Sequence, residues 1–217
     1  MSAPGQLNNL NMFDGNHTIT RFLDAAAAKQ PAPGGGSVAA LAGALSAAMG
    51  EMVLNYSIGK KNLAAYETEL KAALAEFHRA RRILLELMIE DQAAYEAMTA
   101  VRKLPENSPE RNEIFSPPLL ACIRVPQAMA VTALALLELS EKLTGKVNRY
   151  LLSDLAVCAE LAMATVRCGL YNVRINLADV AEQADKESIQ RSMTQLLSKA
   201  TALVGRTIPA IWVAAEA

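Results

Sequence analysis

One carboxylate stands out among the side chains of this sequence that could do chemistry. Alternate steps of three and four residues from Leu63 to Val101 meet apolar or aromatic side chains at every position except Asp91. A carboxylate on a core-facing helix stripe needs a partner, a water-filled pocket or a raised pKa. The same conditions make a general acid or base near neutral pH. A salt bridge to another helix, or a stripe that turns to the surface here, would also explain Asp91.

A glycine-rich turn is the second candidate. Gly34, Gly35 and Gly36 follow a proline-rich segment, and Ser37 is predicted to cap the helix that begins there. Free backbone N–H groups at a helix N-terminus suit an anion such as a phosphate or a carboxylate. The pattern is not a P-loop, because no Gly-Lys-Ser/Thr follows, and no strand leads into it as in a Rossmann motif. A tight turn that lets two helices cross closely is the alternative.

A stripe of small and polar side chains on a later helix is the third candidate. The stripe consists of Asp154, Cys158, Ala162, Thr165, Gly169, Asn172 and Asn176. Small groups flanked by polar ones would line a groove for a flat ligand. Alternatively, Ser153 and Asp154 serve only to cap the helix, and the asparagines only mark its end.

Composition argues against several other classes of function. The chain has two histidines, His17 and His78, which disfavours a histidine-based metal site or a Ser-His-Asp triad. A net charge of −1 gives no electrostatic footprint for nucleic acid. Three cysteines without metal-like spacing, and no signal peptide, indicate reduced thiols in a cytoplasm. The uncharged stretch 30–50 contains prolines and glycines, so we expect no membrane span.

The elements that must position these residues are all helical. We predict a flexible leader over residues 1–17 and a single domain over 18–217, folded as an antiparallel helical bundle. The predicted helices cover residues 18–29, 37–57 and 63–101, a short helix from Ser108, a broken segment followed by a regular helix at 126–143, and then 153–177 and 178–208, with Pro209 disturbing the last turn. We find no alternating strand, internal repeat or long linker.

Seven segments, taken in order, resemble the formiminotransferase-cyclodeaminase C-terminal domain family. They are Phe22-Leu23-Asp24 with Pro31-Ala32-Pro33-Gly34-Gly35-Gly36-Ser37-Val38-Ala39-Ala40, Ile58-Gly59-Lys60-Lys61, Asp91-Gln92-Ala93-Ala94-Tyr95, Leu104-Pro105, Val125-Pro126, Ser153-Asp154, and Tyr171-Asn172-Val173-Arg174-Ile175-Asn176. The resemblance runs from about Thr18 to Leu203. Family members often carry Gly-Asn before the Ser-Asp pair, where this chain has Val147-Asn148.

The resemblance implies a stand-alone, bacterial-type enzyme that is a homodimer and acts on a reduced folate. Two reactions are implied: cyclisation of 5-formiminotetrahydrofolate with loss of ammonia, and hydrolysis of 5,10-methenyltetrahydrofolate to 10-formyltetrahydrofolate. The family's catalytic carboxylate corresponds to Asp91, and Asp154 is a second candidate. We expect no metal and no redox cofactor. A non-catalytic helical scaffold is the alternative from another class of protein.

The parts of a folate suggest roles for the other candidate residues. For the anionic glutamate tail, the expected residues are Lys60, Lys61 and the helix start Gly34, Gly35, Gly36 and Ser37. For the polar ring edges, they are Asn172, Arg174 and Asn176. Ser153 is also expected in the substrate site, through its place in the Ser-Asp pair.

Overall fold

The computed structural model of the protein describes residues 12–106 and 108–216, and those residues form helices and loops without a strand. The first eleven residues of the predicted leader lie outside the described residues. Seven α-helices are present in the described chain: α1 (Ile19–Ala27), α2 (Gly35–Asn55), α3 (Glu67–Arg102), α4 (Pro109–Ile114), α5 (Ser116–Leu143), α6 (Leu152–Asn176) and α7 (Gln183–Glu216). Short 3-10 segments precede α3 and α6 and follow α6. The all-α prediction is confirmed.

Capping residues fix where two of the helices begin. The Thr18 hydroxyl accepts a hydrogen bond from the backbone N–H of Arg21 at 3.2 Å, and so caps α1 as predicted. Ser108 does the same for α4 by accepting from the N–H of Arg111 at 3.2 Å. Pro109 takes the first helical position of α4, where a missing N–H costs nothing.

Four predicted helix boundaries are wrong. Helix α2 starts at Gly35 with Gly34 as its N-cap, so Ser37 lies inside the helix and does not cap it. Helix α5 runs unbroken through Pro126, and α7 runs through Pro209 to Glu216. Helix α7 begins at Gln183, whereas the predicted helix begins at residue 178. A 3-10 turn followed by an extended stretch occupies the intervening residues. Tertiary packing outweighs the local penalty of a proline in both long helices.

Helix α6 is central to the bundle, because α2, α5 and α7 all pack on it, while α3 packs on α2 and α5, and α7 also contacts α5. Glycines on α2 permit a close approach of α3. The α2–α3 pairs run in opposite chain directions, as expected for antiparallel helices: Gly36 with Asp91, Gly43 with Leu84, and Gly50 with Phe77. Small residues at these positions let the ridges of one helix approach the backbone of the other closely.

Residues 12–17 were predicted to belong to a flexible leader, but they pack on α3. Met12 and Phe13 are buried. The side-chain amide of Gln92, itself buried, accepts from the N–H of Phe13 and donates to its carbonyl, both at 2.8 Å. A glutamine on α3 therefore holds the chain just before α1 at two backbone atoms.

Two stretches, Gly35–Asn55 and Pro109–Leu143, are long and apolar enough to cross a membrane by length and composition. Core helices of a bundle have the same properties, and 56% of the apolar window in Gly35–Asn55 is buried inside the fold. The expected absence of a membrane span therefore stays a prediction.

Candidate active site

One cleft of about 300 Å³ contains both Asp91 and the glycine-rich turn. It lies where the N-terminus of α2 meets the C-terminal half of α3, and α5 and the end of α6 close its other sides. Gly34, Gly35 and Gly36 line it from α2, and Asn172 and Asn176 line it from α6. The structure thus brings together parts of all three candidate sites.

The carboxylate of Asp91 sits on the N-terminus of α2. The hydroxyl of Ser37 donates to Asp91 Oδ2 at 3.0 Å, and the backbone N–H of Ser37 is close enough to stabilise the ionised carboxylate. Gly34, the N-cap, has no side chain with which to accept these first N–H groups. Asp91 therefore caps α2 from a neighbouring helix, and the helix N-terminus receives an anion of the same chain.

Gly36 is required for this arrangement. A Cβ atom at residue 36 would fall within the carboxylate group of Asp91. Any other residue at this position would displace that carboxylate or push α2 away from α3. The glycine segment therefore lets α2 and α3 approach closely, as the tight-turn interpretation predicts, and the carboxylate beside this helix N-terminus is that of Asp91. Binding of a substrate carboxylate by the same segment stays a prediction.

Burial raises the pKa of Asp91 above its ordinary value, because the ionised carboxylate loses hydration in the cleft. The hydroxyl and the N–H of Ser37 stabilise the ionised form and partly oppose this rise. Among the described residues, Asp91 forms no salt bridge, so the alternative of an ion pair with another helix is not observed. A partly buried carboxyl with a raised pKa and a fixed orientation is suited to accept and return a proton.

Pro126 leaves a backbone carbonyl of α5 without its helical partner, and Asn176 of the cleft wall bonds to it. As a proline inside α5, it has no N–H to donate to the carbonyl four residues earlier, at Cys122. The side chain of Asn176 donates to that carbonyl instead, at 3.3 Å, and also to the carbonyl of Asn172 at 2.9 Å. Asn176, predicted to bind substrate, thus joins α6 to α5 while lining the cleft.

Asn172 and a nearby thiol complete that side of the cleft. The Asn172 amide donates to the carbonyl of Cys168 at 2.8 Å, and its oxygen lies close to Gly35. The Cys122 thiol points toward the carbonyl of Ala94 at 3.5 Å. Burial raises the pKa of Cys122, and the charge of Asp91 raises it further, so the thiol is protonated beside the carboxylate.

Five lining residues on α3 were not identified as site residues from the sequence, namely Gln92, Tyr95, Met98, Thr99 and Arg102. Tyr95, Thr99 and Arg102 line the cleft on the same side of α3 as Asp91. They lie four, eight and eleven residues after it, a spacing that returns to one face of an α-helix. The spacing of these residues from Asp91 is therefore a signal that the sequence itself contains.

Five predicted site residues lie away from this cleft. Lys60 and Lys61 follow the C-terminus of α2, about 30 Å along that helix from Gly35. Ser153 and Asp154 lie in the first turn of α6, about 27 Å along the helix from Asn172. The periodicity of a helix identifies a face, but it does not say which end of that face carries the site.

Arg174, the fifth of these residues, lies on α6 between two cleft residues but faces elsewhere. It lines a separate depression between α6 and α7, together with Tyr171 and Leu197. Its position two residues before Asn176 places it on another side of the helix. The structure therefore does not bring Arg174 to Asp91.

The family to which the chain belongs follows from its similarity to known proteins. A model of the formiminotransferase-cyclodeaminase family matches residues 18–195. The methenyltetrahydrofolate cyclohydrolase of Methylorubrum extorquens is 33% identical over 193 residues, which cover 87% of this chain and 93% of that protein. The chain belongs to the formiminotransferase-cyclodeaminase family.

Other members of the formiminotransferase-cyclodeaminase family agree. The formimidoyltransferase-cyclodeaminase of Rattus norvegicus is 31% identical over 187 residues, which cover 84% of this chain but 35% of the rat protein. The crystal structure of a formiminotetrahydrofolate cyclodeaminase from Thermotoga maritima superposes with a TM-score of 0.78 at 27% identity, covering 93% of this chain and 96% of that one. The predicted family is confirmed, and with it an enzyme of folate one-carbon metabolism.

Proposed function

We propose that the protein is a formiminotetrahydrofolate cyclodeaminase, which converts 5-formiminotetrahydrofolate into 5,10-methenyltetrahydrofolate and ammonia. The observation that carries the proposal is the carboxyl group of Asp91 in a cleft of about 300 Å³. Burial raises the pKa of this group, and the hydrogen bond from Ser37 fixes its orientation. The Thermotoga maritima cyclodeaminase, which matches almost the whole chain, supports this choice of reaction.

A single carboxyl can serve both difficult proton transfers of this reaction. N10 of the folate attacks the carbon of the protonated formimino group on N5, a C–N10 bond forms, and ionised Asp91 takes the N10 proton. Protonated Asp91 then gives that proton to the terminal nitrogen, the bond from carbon to this nitrogen breaks, and ammonia leaves. The folate nitrogens are already close to each other, which supplies a large proximity effect. The steps need neither a metal nor a redox cofactor.

The second candidate is a 5,10-methenyltetrahydrofolate cyclohydrolase, supported by the Methylorubrum extorquens relative, which also matches almost end to end. Water would attack the bridging carbon while Asp91 takes its proton. The proton would then go to N5 as the bond from carbon to N5 breaks, which gives 10-formyltetrahydrofolate and releases one proton overall. The same carboxyl and the same bridging carbon serve both reactions.

An absorbance assay tests both reactions. The purified protein is offered 5-formiminotetrahydrofolate and 5,10-methenyltetrahydrofolate separately, and the ultraviolet band of the methenyl bridge is followed. Growth of the band with the first substrate, together with ammonia release, is the expected result. Accelerated loss of the band with the second substrate alone would identify the cyclohydrolase. No acceleration with either substrate would contradict a folate enzyme and favour the helical scaffold.

We also propose that two copies pair through the outer face of α2 and α6. These two helices pack side by side and expose apolar side chains, namely Val38 and Leu45 on α2 with Val157, Tyr171 and Ile175 on α6. Exposed apolar surface of this extent commonly marks an interface, and a two-fold axis would bury the same patch on both copies.

The oligomeric state in solution tests this pairing. Light scattering should give a dimer for the wild type and a monomer for Leu45→Glu. Ile114→Glu, which places the same charge on an exposed apolar residue of α4, is the matched control and should stay dimeric. A monomeric wild type, or a dimeric Leu45→Glu variant, would contradict the proposed interface.

A further inference from the structure

We propose that Arg102 binds the carboxylate of the substrate's glutamate tail, and this inference rests on the proposed function. Arg102 is the only basic side chain among the described residues that line the cleft, as Asp91 is the only acidic one. The lysines expected for the tail lie at the far end of α2. An anionic tail that enters this cleft therefore meets its opposite charge at Arg102.

The spacing along α3 fits the length of the substrate. Eleven residues separate Asp91 from Arg102, which is about 16 Å along the helix axis. Long helical side chains lean toward the helix N-terminus, so the long side chain of Arg102 can reach back toward Asp91. In a folate, standard bond lengths place the α-carboxylate roughly 9 Å from N10. Adding about 3 Å for the contact between N10 and Asp91 gives about 12 Å, within the reach of Arg102.

The residues between these two charges suit the middle of the folate. Tyr95 lies one turn after Asp91, lines the cleft and is 46% exposed, so its ring is free to pack on the p-aminobenzoyl ring. Met98, which is buried, and Thr99 continue the same wall toward Arg102. One face of α3 thus presents an acid/base group, an aromatic ring and a cation in the order in which the substrate presents N10, its ring and its carboxylate.

Asp179 holds the guanidinium at the end of this wall. A terminal nitrogen of Arg102 donates to Asp179 Oδ2 at 2.7 Å. A guanidinium carries five N–H donors, so this contact orients Arg102 and leaves donors for a second carboxylate. Asp179 follows α6 directly, in the 3-10 turn, so the ion pair also joins the two helices at the mouth of the cleft.

The test compares a substrate with a glutamate tail with one that lacks it. Initial rates are measured with the folate that the wild type turns over and with its pteroate analogue, for the wild type and Arg102→Met. In Arg102→Met, KM for the folate should be about ten- to hundredfold higher, which is the loss of affinity expected when one charge-assisted hydrogen bond is removed. The value of kcat/KM for the pteroate should be unchanged. Lys103→Met removes a cation from the next, exposed position outside the cleft and should change neither substrate.

Each of the other outcomes overturns the proposal. Equal losses on folate and pteroate would show that Arg102 supports the fold or the reaction centre and not the tail, and the proposed function would stand. An unchanged KM in Arg102→Met would likewise exclude tail binding by Arg102 and leave the proposed function intact. A wild type that turns over neither compound would remove the proposed function, and the tail-binding role with it.

A second variant separates binding from structural support. Asp179→Asn breaks the ion pair but keeps the guanidinium, so it should preserve most of the preference for the folate over the pteroate. If Asp179→Asn abolishes that preference as fully as Arg102→Met does, the ion pair and not the tail contact carries the effect. Melting temperatures of the two variants show whether a folding defect contributes.

Discussion

Replacing Gly36 by alanine should lower activity by at least about a hundredfold, although the same change stabilises an ordinary helix. Alanine in place of glycine inside a helix contributes up to about 1 kcal/mol. Here the new Cβ would fall within the Asp91 carboxylate, so that group must move away from Ser37. Loss of one hydrogen bond to an ionised group costs about 1.5–3 kcal/mol. We therefore expect Gly36→Ala to lower the free energy of unfolding by about 0.5–2 kcal/mol.

The effect on turnover should be larger than the effect on stability. A catalytic group displaced by about 1 Å costs roughly a hundredfold in rate, so kcat of Gly36→Ala should fall at least that far. Gly205→Ala is the matched control, because a Cβ at that helical position of α7 meets no atom within 4 Å. It should gain stability and keep wild-type kcat.

Urea unfolding and the methenyl absorbance assay measure the two quantities on the same preparations. Circular dichroism confirms that helix content is retained. Gly36→Ala would refute the described position of Asp91 over the N-terminus of α2 if it retained wild-type kcat and also gained stability, as is expected for Gly205→Ala.

Three further predictions concern the same site. Ser37→Ala removes a donor that favours ionised Asp91, so its pKa should rise further and the rising limb of kcat against pH should move to higher pH; an unmoved limb would contradict the contact. Because the folded-state pKa of Asp91 is raised, its contribution to stability is present below the ordinary value of 3.8 and is lost as pH rises through the folded value. As the pH rises from 3.8 through the folded-state pKa of Asp91, the free energy of unfolding of Asp91→Asn should therefore increase relative to that of the wild type. A difference between the two proteins that does not change with pH would refute the raised pKa. Cys122 lines the cleft, so 5-formyltetrahydrofolate should slow its alkylation, followed by mass spectrometry, while equal rates with and without the folate would place the ligand elsewhere.

The sequence predicted the bundle and its central carboxylate because both depend on periodicity along single helices. Asp91 interrupts an apolar stripe, and such an interruption is visible without any tertiary information. Ser37 shows the limit of this reasoning. Its type and position suggested an N-cap, whereas its hydroxyl serves Asp91, 54 residues away. Local propensity cannot identify a partner supplied by another helix.

The residues that the sequence misplaced reveal a second limit. Asp154 and Lys60 belong to segments that resemble the family as clearly as Asp91 does, but they lie at the other end of long helices. The position of a site along an antiparallel bundle depends on how the helices are staggered, and that stagger arises from packing such as Gly43 against Leu84. Arg102 was overlooked for the opposite reason. Its spacing from Asp91 was readable, but a single arginine near a helix end has an ordinary structural role in many proteins.

The acid/base role of Asp91 is tested most directly by the turnover of Asp91→Asn beside the wild type. 5-Formiminotetrahydrofolate and 5,10-methenyltetrahydrofolate are each mixed with a stoichiometric amount of enzyme, and the methenyl band is followed over one turnover. We predict that the asparagine variant keeps its helix content and still binds 5-formyltetrahydrofolate, but loses about 10²–10⁴-fold in rate with the active substrate. An Asp91→Asn variant that turns over at the wild-type rate would show that the carboxyl of Asp91 is not the acid/base group.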